Sequence, residues 1–125
     1  MKGVAFNFFA TGAVFVTLGM IWGIVMAISG DHTFAGSHAH LNLVGWVTMA
    51  LFGAYYALTP GAAGAGMAKI HFALFVLGVI VFIRGIALAI AEKTEALAAI
   101  GSLIVLASML VFVMTIFRHG LGRAA

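Results

Sequence analysis

Cysteine is absent from the 125 residues, proline occurs once, and charge is scarce: six Lys and Arg stand against three Asp and Glu. Without cysteine, a disulfide-stapled secreted scaffold is excluded. Charged residues make up 7% of the chain, against about 25% in an ordinary soluble domain, too few to cover a water-facing surface. Disorder and collagen-like repeats are excluded by the apolar share, 65%, which neither tolerates. The formal charge of +3 rests on single cations between long apolar runs. A nucleic-acid binder would instead gather them in a basic stripe among exposed aromatics. No glycine-rich phosphate loop is present, and three acids are too few for paired-carboxylate hydrolysis. The class that remains is an integral membrane protein, all-α, forming a single domain over residues 1–125.

What is there supports that class directly. Gly3 to Gly30, His32 to Ala68 and Ala96 to Phe117 carry no Asp, Glu, Lys or Arg, and Ile70 to Ala91 carries only Arg84. A helix needs about 20 apolar residues to cross a bilayer core, so four transmembrane helices are expected at about 6–29, 36–59, 67–91 and 97–118. Their short connections predict an antiparallel bundle. Ser37 reads as the N-cap of helix 2, Thr59-Pro60-Gly61 as its end, and the acids of Glu92-Lys93-Thr94-Glu95 suit the start of helix 4. The apolar run of the first helix exceeds the roughly 7–15 residues of a signal-peptide core, so that helix is expected to stay.

Four helices put both termini and the Lys69 loop on one side. That side holds Lys2, Lys69, Arg118 and Arg123, and the other holds Asp31, Glu92, Glu95 and Lys93. By the positive-inside rule the termini face the cytoplasm, which for a bacterium means a multi-pass protein of the inner membrane with the Asp31 and Glu92 loops outside.

His32, His38 and His40 fall close together at the outer end of helix 2, where polar side chains are costly and suggest a site. At about 100° per residue, His38 and His40 point roughly 200° apart, so one helix does not chelate a single ion with both. The spacing suits a helix serving two neighbours. The plainer alternative is that these residues cap the helix or meet headgroups.

The segment from His38-Ala39-His40-Leu41-Asn42-Leu43 through Gly45-Trp46 to Ala54-Tyr55-Tyr56-Ala57-Leu58-Thr59-Pro60 resembles the haem-copper oxidase superfamily. It is most similar to the second helix of nitric oxide reductase-type catalytic subunits, where a His-x-Asn-Leu motif leads to Ala-Tyr-Tyr-x-x-x-Pro. The resemblance covers residues 38–60 and implies that His40 is an axial ligand of a low-spin haem, with Asn42 beside it. This chain departs from the family in having four helices where the catalytic subunits have about twelve, and it lacks obvious equivalents of the binuclear-centre histidines. The family's helices form three arcs of four, so a homotrimer of this chain would resemble the whole. The resemblance therefore implies haem b at each protomer interface, ligated by His38 of one chain and His40 of the next, in a protein for electron transfer or O2 or NO binding. A dimer sharing one site is the alternative assembly, and the implied partner is an electron donor or acceptor protein or a quinone.

Arg84 is the costliest residue to hold in a membrane. It lies at about the depth of His40 and is expected to face protein, pairing with a haem propionate or with Asp31, Glu92 or Glu95, or else to snorkel to the surface. His71 and His119 are expected to be interfacial. His32 is either a third metal ligand or a loop residue. Two other readings stand beside haem: a zinc- or copper-handling membrane protein using His32, His38 and His40, and a non-catalytic accessory subunit. Gly19-x-x-x-Gly23 is expected to let helices approach closely or to face a flat cofactor.

Overall fold

The computed structural model describes residues 3–123; Lys2, counted above among the cations of one side, lies outside them. Helix α1 runs Val4–Ser29, α2 Ala35–Leu58, α3 Gly66–Ile90 and α4 Ala96–His119, each long and apolar enough to cross a membrane. A single turn, Pro60–Ala63, links α2 to α3. Among the described residues there is no strand.

Local chemistry sets the boundaries. Gly30 ends α1 in a left-handed conformation (φ 70°), its N–H bonded to Met26 O. Asp31 Oδ1 then accepts from both the amide and the hydroxyl of Thr33, which turns the chain into α2. Those two donors hold the Asp31 carboxyl below the usual carboxylate range, so it stays ionised. Pro60 opens the linking turn, where it fits because the first helical N–H has no partner to lose. One expectation is corrected. Ser37 does not cap α2: it sits buried within the first turn and donates to Ile83 O of α3 at 2.7 Å. At the start of α4 Glu95 stands at the N-cap position, and the hydrogen bond there comes from Thr94, whose Oγ1 accepts the Ala96 N–H at 3.1 Å.

The outer surface is apolar, with Val14, Leu18, Ile24, Leu51, Leu103 and Phe117 among many exposed large side chains. The core gathers Phe8 of α1, Met49, Phe52 and Tyr56 of α2, and Phe75 and Val79 of α3. Phe8 meets Phe52 and Tyr56 at one end of α1, and Trp22 meets His38 at the other. Helices α3 and α4 touch almost backbone to backbone. A Cβ at Gly85 would strike the backbone of Leu97 and Ala98, and one at Gly101 would lie 2.5 Å from Phe82 Cα.

Within α2 the turn Leu43–Thr48 is wound as a π-helix. Such turns are often found at functional sites. This one changes the phase between the His38–Asn42 segment and the core residues Met49, Phe52 and Tyr56.

Candidate functional site

His38 and His40 leave α2 on opposite flanks. His38 turns toward α1, with its ring edge-on to Trp22 at 6.2 Å and its Nε2 accepting from Asn42 Nδ2 at 3.3 Å. Gly23 makes the room, since a Cβ there would sit 3.1 Å from His38 Nε2. Gly19 does the same for Asn42: an added Cβ would collide with Asn42 Oδ1. That oxygen is buried without a hydrogen-bond partner, an expensive arrangement. The Gly-x-x-x-Gly pair of α1 thus accommodates two polar side chains of α2.

His40 faces the α3 side, edge-on to Phe82 at 5.5 Å. Its Nδ1 lies 2.7 Å from Gly36 O. A carbonyl can only accept, so Nδ1 donates to it, and in the neutral imidazole the lone pair is then on Nε2. The residue is exposed, and its ring is held in orientation by this bond. This is the state in which histidine ligates metals, the second nitrogen being held by a carbonyl. His32 Nδ1 similarly approaches Gly30 O at 3.2 Å, but from the exposed loop.

No protein-family model, curated protein or solved structure matches this chain.

The other expected site residues are not gathered around His40. Among the described residues no group of three His, Asp or Glu side chains could hold a metal ion, so His32, His38 and His40 do not converge within one chain. Arg84, expected to face protein, is exposed and lines a groove with Ala87, Leu88 and Leu97. It follows Phe82 by two positions, about 200° around α3, so it looks out on a different side from His40. The acid nearest in sequence to the His38 segment, Asp31, has its Oδ1 taken by Thr33.

His71 is the clearest correction. Expected at the interface, it is completely buried. Its Nδ1 lies 2.9 Å from the Tyr56 hydroxyl, and its carbonyl accepts from Ser108 Oγ at 3.1 Å. Phe52 stands edge-on at 4.4 Å and Phe112 stacks on it at 5.0 Å. The Nε2 atom has no partner. His71 lies beside Tyr56, about 24 Å along α2 from His40 at 1.5 Å per residue, so the two belong to different sites, as expected. Phe52, Tyr56, Ser108 and Phe112 come from two other helices, α2 and α4, and no local signal marks His71.

His71→Ala opens a hole among aromatic rings and strips the Tyr56 hydroxyl of its partner, with an expected loss of about 2–4 kcal/mol. His71→Phe fills the space and removes the orphaned nitrogen, leaving only the hydroxyl unpaired, and is expected to cost less. Thermal unfolding in detergent checks the order. Equal melting of both variants with wild type would mean that His71 is not a packing residue.

Proposed function

We propose that this chain is a membrane-spanning haem b protein, an antiparallel four-helix bundle with cytoplasmic termini in a bacterial inner membrane, in which His40 ligates the haem between copies of the chain. The antiparallel arrangement is supported by Phe8 of α1 meeting Tyr56 while Trp22 meets His38. The orientation is supported by Lys69, Arg118 and Arg123 standing apart from Asp31, Glu92 and Glu95.

The observation that carries the reading is the His40 ring: Nδ1 tied to Gly36 O, in an exposed residue whose Nε2 makes no hydrogen bond among the described residues. His40 is exposed on the single chain, so a macrocycle on it would be covered by another protomer, and the threefold architecture of the family that residues 38–60 resemble suggests a homotrimer. Haem would supply reversible one-electron chemistry and, with one histidine ligand, an open position for O2 or NO. His38 Nε2 is engaged by Asn42, so the geometry favours one histidine over two and gas binding over pure electron transfer. Zinc or copper handling within one chain is disfavoured by the absence of a three-ligand cluster among the described residues.

The test is an absorption spectrum of detergent-purified protein, oxidised and dithionite-reduced. A broad high-spin spectrum is expected. Sharp reduced α and β bands would instead mean paired histidines and electron transfer. Absence of a Soret band after expression with ample haem would overturn the proposal. Arg84→Leu is expected to leave the spectrum unchanged while lowering haem retention several-fold, because Arg84 can meet a propionate only from a neighbouring protomer. Loss of the spectrum itself would put Arg84 near the iron and contradict its placement on a different side of α3.

A further inference from the structure

At the end of the bundle opposite His40, the start of α3 and the end of α4 border a cleft of about 820 Å³ whose floor is apolar, with Ile70, Met114 and Phe117 along it. Arg118 and His119 stand at its rim and are shared with a second cleft, about 530 Å³, that Arg123 completes. Both volumes lie within the roughly 300–1,000 Å³ usual for small-ligand sites. We propose that this composite cleft binds an anionic phospholipid, with an acyl chain along Ile70, Met114 and Phe117 and the phosphate against Arg118, His119 and Arg123.

The cationic rim is built by the fold. Past α4 the chain turns back through Gly120 and Gly122, both at positive φ (68° and 93°), conformations that glycine adopts at little cost. The turn is pinned at two points: Tyr55 donates its hydroxyl hydrogen to Gly120 O at 2.6 Å, and Gly122 N–H donates to Thr59 Oγ1 at 3.0 Å. His119 Nδ1 comes within 4.0 Å of where a Gly61 Cβ would stand. Without that return, Arg123 would not share a cleft with Arg118 and His119.

Charge complementarity selects the occupant. The three acids of the chain, Asp31, Glu92 and Glu95, all lie in the two loops at the other end, so among the described residues no acidic side chain at this end offsets the arginines. A second copy docked here through this same face would bring the same cations and be repelled. Guanidinium groups bind phosphate through paired hydrogen bonds, and basic pockets between membrane helices are suited to anionic headgroups. A free phosphate would satisfy the arginines but leave the apolar floor open, with Met114 and Phe117 62% and 87% exposed. A lipid meets both halves.

The proposal rests on the chain spanning a membrane and is independent of haem. Full-length protein in detergent is titrated with phosphatidylglycerol and with phosphatidylcholine of the same chains, and bound lipid is read by native mass spectrometry. Phosphatidylglycerol is expected to bind about tenfold or more tightly than phosphatidylcholine, the preference weakening with salt. Arg118→Gln with Arg123→Gln should bring the two lipids within about twofold, with haem content unchanged. If the double variant fails to fold, Arg123→Gln alone, beyond the last helix, must still reduce the preference. Equal binding of both lipids overturns the proposal. So does displacement of phosphatidylglycerol by equimolar inorganic phosphate, which would reveal a plain anion site. Release of the chain from membranes by alkaline carbonate would overturn the membrane reading as well, whereas an integral protein without lipid preference overturns this proposal alone.

Discussion

Purified His40→Ala protein is expected to lose its haem spectrum, while His38→Ala keeps it. The asymmetry follows from the different surroundings of the two rings. His40 is an exposed residue whose ring is held by the Gly36 carbonyl, so on the proposed reading its removal deletes the iron ligand. The loss of haem affinity should then exceed the roughly 10–100-fold that a change behind a ligand produces. His38 Nε2 is engaged by the Asn42 amide in the crevice formed by Gly19 and Gly23. Its removal leaves Asn42 with two unsatisfied polar ends, Oδ1 already lacking a partner. The expected result is a lower melting temperature, by an amount matching about 1–3 kcal/mol, with haem retained. Haem content by pyridine haemochrome and helicity by circular dichroism separate the two effects. Equal loss of haem in both variants would mean that His38 leaves Asn42 and that haem is shared by two histidines across the protomer interface. Retention of haem by His40→Ala would remove His40 from the site altogether.

The readability of this chain in its sequence follows the range of each interaction. The four long helices were expected within about two residues of where they lie, because in an apolar chain the few charges, Gly30 and Pro60 interrupt the pattern locally. The opposite flanks of His38 and His40 were legible for the same reason, as they depend only on helical pitch. Ser37 was misread because a serine near a helix start suits a cap, and only the tertiary structure offers it the Ile83 carbonyl. The π-helical turn has no local signature in Leu43–Thr48; it reconciles contacts made upstream to α1 and α3 with contacts made downstream in the core. Gly19 and Gly23 have the spacing of a helix-pairing motif, and the spacing alone does not say that Asn42 and His38 fill the space. His71 was misplaced because its partners Phe52, Tyr56, Ser108 and Phe112 lie on two other helices, α2 and α4.

The second large effect is expected at Gly101, on the contact that supports the site from behind. In a membrane, helices are not driven together by apolar burial, since lipid is as apolar as their side chains, and close van der Waals packing decides their association. The α3–α4 pair achieves it through glycine: a Cβ at Gly101 would meet Phe82 Cα and N, and one at Gly85 would meet the Ala98 amide nitrogen. Both obstacles are backbone, so no rotamer change relieves them, and alanine at either position must separate the helices. The expected cost is about 1–3 kcal/mol each. Gly66→Ala is the control: nothing lies within 4 Å of its Cβ position, and stability should hold or rise by about 0.4–1 kcal/mol. The two interface variants then diverge in function. Gly101 presses on Phe82, whose ring is the edge-on neighbour of His40, so Gly101→Ala should shift the haem spectrum as well as the melting temperature. Gly85 presses on the start of α4, away from that ring, so Gly85→Ala should lower stability with a smaller spectral change. If Gly101→Ala melts like wild type, α3 and α4 are not in backbone contact. If it is destabilised with an unaltered spectrum, Phe82 does not set the position of His40.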